Sequence, residues 1–97
     1  MQKPEAVGSI LKRVISDLGI EKKLKEEEAI LQWPEVVGPL IAGKTLPFRV
    51  ERGKLFVKVS SSVWMQQLIF LRPQIVEKLN TKIGKKAIEE IIFLVGE

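Results

Sequence analysis

Apolar residues recur at helical spacing near the start of the chain, where Ile10, Leu11, Val14, Ile15 and Leu18 fall on one stripe. Ser9 is placed to cap that helix and Gly19 to end it in the left-handed conformation. A second helix is predicted from near Glu21 through Leu24, Ile30 and Leu31 to Trp33, where Pro34 either interrupts it or opens a new turn. "PEVVGPLIAG" reads as a short helical piece punctuated by Gly38, Pro39 and Gly43. From Lys44 the period becomes two. "KTLPFRVE" sets Leu46, Phe48 and Val50 on one face and Thr45, Pro47, Arg49 and Glu51 on the other. Pro47 cannot donate to a ladder, so it marks an edge strand or a bulge. Arg52-Gly53 is the turn of a hairpin, and the next strand points Leu55, Val57 and Val59 inward and Lys54, Phe56 and Lys58 outward.

Three serines follow, any of which can cap a helix, and then Trp64, Leu68, Leu71, Ile75 and Leu79 recur at helical spacing. The stripe keeps its phase across Pro73, and the residue before a proline disfavours helix, so two helices meeting at Pro73 are expected. Gly84 is placed to cap the second of them, and "AIEEIIFLVG" is a last strand, apolar on both faces and therefore expected inside the sheet rather than at its edge. The order is α-α-β-β-α-(α)-β. The last two strands are joined through helix and can run parallel, so the simplest closed solution is an α+β fold with a three-stranded mixed sheet and helices on one face. One domain is expected over residues 1–97, with a helical segment (1–29) leading into a core (30–97).

Composition narrows the chemistry. The chain has no cysteine and no histidine, which removes disulfides, thiol nucleophiles, the commonest metal ligands and the commonest general base. No enzyme, metal site or cofactor is expected. No run of eighteen apolar residues occurs, as a membrane helix would need, and the N-terminus lacks a signal-peptide centre, so a cytoplasmic protein is expected. The net charge of +4 is unevenly spread. Residues 1–28 sum to zero, whereas residues 44–86 carry ten cations against Glu51 and Glu77, a surplus of +8. A polyanion is a reasonable partner for that stretch, with a solvated surface as the plain alternative.

Candidate nucleic-acid contacts follow from that surplus. Phe56 between Lys54 and Lys58 has the composition of a single-strand platform, a ring for a base with cations for phosphates. The alternative is that Phe56 packs under the N-terminal segment. Arg49 and Arg52 join Lys54 at the hairpin, and Lys78, Lys82, Lys85 and Lys86 form a second group at the end of the last helix. Trp64, with Gln66 and Gln67 beside it, is a candidate protein contact, because a rigidly held aromatic beside polar side chains suits an interface. Trp33 and Trp64 can equally be packing residues. "GPLIAGKT" (38–45) matches the pattern G-x-x-x-x-G-K-T, but it follows a helix and leads into a strand, which is the wrong context for a phosphate loop.

Beyond these readings, residues 30–97 resemble the DciA family of bacterial replicative-helicase loaders, also called helicase operators. The resemblance is carried by Trp33, Val37-Gly38, Ala42, Thr45, Pro47, the strand Gly53, Leu55, Val57 and Val59, then Ser61-Ser62, Trp64, Gln67-Leu68, Pro73, Leu79-Asn80 and Gly84. It implies a KH-like fold of type II-like order, a role in bacterial DNA replication, and two partners: the hexameric replicative helicase and single-stranded DNA. It implies no ATPase activity. With a helicase as partner, the rigid strand-to-helix corner from Val59 to Leu68 is the expected contact surface, with Trp64 and Gln67 its most informative residues and Gln66 beside them. One departure stands out. Nucleic-acid-binding KH domains clamp the backbone with a GXXG loop between two helices, whereas the expected junction here, Phe70-Leu71-Arg72-Pro73, has no glycine. Side-chain cations and stacking must then serve instead. The other function class compatible with a basic domain of this kind is a general RNA-binding KH-like module.

Overall fold

A computed structural model of the chain describes residues 19–96. Five elements follow in order: helix α1 (Ile20–Ala42), strands β1 (Thr45–Glu51) and β2 (Lys54–Val59), helix α2 (Ser62–Ile83) and strand β3 (Glu90–Val95). The helix expected over residues 9–18 lies outside the described residues. Arg52 and Gly53 both take positive φ (50° and 79°), the two-residue turn whose twist matches a hairpin. Gly53 is also buried, and a Cβ there would stand 2.7 Å from the Glu89 carboxylate. Its N–H donates to the buried Glu26 carboxylate at 2.6 Å, which ties the hairpin turn to α1. Ser61 caps α2 by accepting from the Trp64 N–H, and Gly84 ends it with φ 84°.

The strands form one mixed sheet in the order β1-β2-β3, with β1/β2 antiparallel and β2/β3 parallel. Leu55, Val57, Val59 and Ile91 point to the helical side and are buried with Trp33, Leu68, Ile75, Leu79 and Ile88. The α+β arrangement is the one expected, with helices on one face. Trp33 belongs to this core at 1% exposure, and its indole N–H donates to the Thr45 hydroxyl at 2.8 Å. That hydroxyl in turn donates to the Ile41 carbonyl, so the threonine of the G-x-x-x-x-G-K-T match is fully engaged in joining α1 to β1.

Three expectations are corrected. Helix α2 runs unbroken through Pro73, so there are not two helices and no junction for a clamping loop. Leu68, Ile75 and Leu79 hold both halves to one core, while Ile69, whose carbonyl loses its helical donor to the proline ring, is exposed and can be solvated. The break falls instead in α1, at Gly38 (φ 88°, ψ 163°), where Pro39 disfavours helical geometry in the preceding residue and glycine adopts a positive φ without a Cβ penalty. Second, β3 is an edge strand, not an internal one. Crossing over through α2 to run parallel beside β2 leaves its other side free of any described strand. Third, the alternation read for β1 holds over only part of it. Pro47 pairs with Val57 and Arg49 with Phe56, so Phe48 is an extra, bulged residue. Before the bulge Thr45 and Pro47 share the face of Val59 and Val57, and after it Val50 turns inward. Leu46 and Phe48, expected to share a face with Val50, are on the opposite face, 58% and 40% exposed.

The segment after α2 has no regular structure, yet Ala87 and Ile88 in it are buried. Asn80 holds it in place. Its Oδ1 accepts from the N–H groups of Ala87 (3.1 Å) and Ile88 (2.9 Å), and its amide donates to the Ile88 carbonyl (2.8 Å). Asn80→Ala leaves the N–H and the carbonyl of buried Ile88 unpaired, while the Ala87 N–H keeps its bond to the Lys85 carbonyl. A loss of about 2–3 kcal/mol is expected in urea unfolding, and a value near zero would show that water replaces the side chain fully.

Candidate nucleic-acid and partner interfaces

The bulge at Phe48 decides what the open face of the sheet presents. Leu46, Phe48, Arg49, Phe56, Lys58, Ile92 and Leu94 all stand on the side away from the helices. The Phe48 and Phe56 rings lie 6.3 Å apart, tilted by 51°. The Arg49 guanidinium sits 5.4 Å from the centre of the Phe56 ring, and the Lys58 ammonium 5.2 Å from that of Phe48. Each aromatic face is thus shared with a cation, an arrangement stabilised by the ring quadrupole. Phe56 is half-buried beside Phe48 on a face that neither described helix covers. The sequence singled out Phe56, Arg49 and Lys58 but missed Phe48, whose signal was Pro47: a bulge there reverses the face of the next residues.

Lys54 is on the same face nearer the hairpin turn, and Arg52 is in the turn itself. Acid is present too. Glu90 stands opposite Lys54 on β3. Glu51 forms an ion pair with Arg49, and the hydrogen bond and charge of that guanidinium hold its carboxyl below the ordinary value of 4.5. A depressed carboxyl contributes its stabilisation above its unfolded value and loses it as pH falls through the folded one. Acidification through that depressed value, below the ordinary 4.5, therefore releases Arg49. Glu51→Gln should do the same at neutral pH and strengthen single-strand binding severalfold, measured by fluorescence anisotropy at low salt. Unchanged affinity would show that Arg49 does not reach phosphate.

The lysines at the end of α2 are not part of this face. Lys78 and Lys82 line a cleft of about 520 Å³ between the two helices with Glu35, Val36, Glu77 and Thr81, and Lys82 pairs with Glu35 at 2.8 Å. Lys85 and Lys86 are exposed in the segment beyond the helix cap. The basic stretch that reads as continuous in sequence is thus divided between opposite sides of the sheet.

The corner between β2 and α2 presents the expected partner residues differently from one another. Trp64 is half-buried and packs against the core, whereas Gln66 and Gln67 are exposed. Val63 and Phe70, one heptad apart, are 71% and 81% exposed on the same stretch of helix. Phe70 entered the sequence analysis only as part of the expected helix junction, not as a partner contact. Its signal was a large apolar residue out of phase with the buried stripe of Leu68, Leu71, Ile75 and Leu79.

The fold is an α+β domain of order α-β-β-α-β, with one helical layer and an open aromatic–cationic sheet face. The chain belongs to the DciA family: the family model described as "Dna[CI] antecedent, DciA" matches residues 6–93. A UPF0232 protein of Streptomyces coelicolor is 31% identical over 93 residues, covering 94% of this chain and 49% of that protein. UPF0232 proteins of Streptomyces avermitilis (31% identical, 84% of this chain, 46% of the relative) and Corynebacterium glutamicum (30%, 90% and 49%) are similar as well. The chain spans about half the length of the curated relatives it matches. No helix among the described residues is long and apolar enough to cross a membrane.

Proposed function

We propose that the protein is a non-catalytic, cytoplasmic accessory factor of bacterial DNA replication that binds single-stranded DNA and the hexameric replicative helicase and promotes helicase loading. Family membership supports the replication role. The observation that carries DNA binding is the Phe48–Phe56 pair with Arg49 and Lys58 over its rings. Bases stack on such rings without regard to sequence while cations track the phosphates, which replaces the missing backbone clamp. Affinity for an oligothymidylate should fall by orders of magnitude from low to moderate salt. A salt-independent affinity would remove the electrostatic basis of the reading. Lys82→Glu with Lys86→Glu, at the inter-helix cleft and in the segment beyond α2, serves as the control: if it abolishes binding and sheet-face variants do not, the DNA surface lies there rather than on the open sheet face.

The helicase contact is assigned to the exposed face of α2 from Val63 to Phe70, with Gln66 and Gln67, and with Trp64 as the half-buried support beneath it. Two variants separate anchor from support. Phe70→Ala should leave stability within about 0.5 kcal/mol and weaken helicase binding by about 2 kcal/mol or more in calorimetry. Trp64→Ala should lower both stability and binding, because its ring packs on the core. Full helicase affinity in a stably folded Phe70→Ala protein would move the contact elsewhere.

A further inference from the structure

The two edges of the sheet are built differently. On β1, Pro47 lacks a donor, the bulge at Phe48 interrupts the ladder, and the Lys23 ammonium takes the Val50 carbonyl at 3.2 Å. These are devices by which natural sheets block the addition of another strand. β3 has none of them. From Ile91 to Val95 it carries no charge, proline or glycine, and its pairing with β2 has no irregularity. Leu94 and Val95 are 43% and 51% exposed.

The hydrogen bonds of β3 tell which of its backbone groups have no partner among the described residues. The Glu90 N–H donates to the Gly53 carbonyl and the Gly96 N–H to the Val59 carbonyl, each at 3.2 Å. Alternate residues of a parallel strand bridge to the same neighbour, so Ile92 and Leu94 also turn their backbone groups toward β2. Ile91, Phe93 and Val95 turn theirs outward.

We propose that this edge pairs antiparallel with the same edge of a second copy of the chain, about a twofold axis passing beside Phe93. A twofold axis that sets two edge strands antiparallel is perpendicular to the sheet and leaves paired side chains on one face. Centred on Phe93, the register places Ile91 opposite the second copy's Val95 and Ile92 opposite its Leu94. Ile91, Phe93 and Val95 then become the hydrogen-bonded pairs, so every outward group of the strand is answered. Leu94 and Val95 each gain an apolar neighbour. Glu90, the one charged residue of β3, falls opposite Gly96, so no like charges face each other within the two paired strands. This self-complementarity on both faces is what identifies the occupant as a second copy. A six-residue edge buries well under the ~1,200 Å² of a standard stable interface, so the dimer is weak and concentration-dependent. It also sets both open faces on one side, with the two β2 strands about 14 Å apart, three strand spacings. That last consequence, one continuous surface for a single strand, rests on the proposed function; the pairing itself does not.

The test is sedimentation velocity of the full chain without DNA, from roughly 10 μM to 1 mM. The mass should rise with concentration toward twice the 11.0 kDa of one chain. Val95→Pro removes an outward N–H and should weaken association at least about tenfold, with circular dichroism and melting unchanged. Should that variant not fold, Val95→Lys places an ammonium against Ile91 of the second copy and is expected to have the same effect. A wild-type chain that keeps the mass of one copy throughout overturns the proposal, even if it captures an extended peptide. So does a folded Val95 variant that associates as tightly as wild type. Association abolished by Phe48→Ala with Phe56→Ala but not by the Val95 variants would put the contact on the open face, which also overturns it.

Discussion

Replacing Phe48 and Phe56 together by alanine is expected to weaken binding of an oligothymidylate by roughly 2–6 kcal/mol, at least about thirtyfold, since each base–aromatic stack is worth about 1–3 kcal/mol. The salt dependence should persist, because Arg49, Lys54 and Lys58 remain. The melting temperature should move little, because both rings lie on the face away from the core and Phe48 is 40% exposed. Anisotropy titrations at two salt concentrations, with melting curves as the control, make the measurement. Wild-type affinity in the folded double variant would refute the platform. Loss of affinity in the Lys82→Glu, Lys86→Glu protein would then direct attention to the inter-helix cleft and the segment beyond α2. The two single variants add a further check, because rings 6.3 Å apart that stack on neighbouring bases should couple in a double-mutant cycle.

Trp33→Ala is expected to be the most damaging single substitution for stability. The ring is 1% exposed, is the largest fully buried side chain, and its indole N–H is satisfied by Thr45. Removing it should cost about 3–5 kcal/mol, the usual range for a buried aromatic. Small domains have totals near the low end of about 5–15 kcal/mol, so much of the folded population would be lost at 37 °C. Trp33→Phe separates volume from polarity. It keeps most of the packing and should cost less, part of it the roughly 1 kcal/mol of the lost hydrogen bond to Thr45. Urea unfolding with an unchanged slope is the appropriate measurement. A Trp33→Ala protein as stable as wild type would show that α1 is not joined to β1 by this contact.

Much of the fold was legible because its signals are local. The positive φ values of Arg52 and Gly53, the Ser61 cap and the left-handed Gly84 each follow from backbone energetics of one to four residues. The inward set Leu55, Val57 and Val59 follows from a period of two that no irregularity disturbs. Local signals misled where two of them competed. Pro73 disfavours helix at Leu71-Arg72, yet the apolar stripe across it keeps phase, and burial of Leu68, Ile75 and Leu79 outweighs one lost backbone bond. The candidate site was legible in part: Phe56, Arg49 and Lys58 could be named, but their companion Phe48 could not, because one bulged residue reverses the face of β1 around it.

The amino-acid sequence by itself determined the hairpin, both caps of α2, the buried stripes of β2 and α2, the basic middle of the chain and the family to which it belongs. Each of these depends on residue type and spacing along one segment. Tertiary structure alone decided which residues meet. It placed Phe48 beside Phe56, separated Lys78 and Lys82 from the other basic residues, left Phe70 in solvent and set β3 at the edge of the sheet. The reason is physical. Apolar residues on both faces of β3 satisfy a central or an edge position equally well. The choice is made by the crossover through α2 and by the packing of α1 on β1, contacts between segments far apart in the chain.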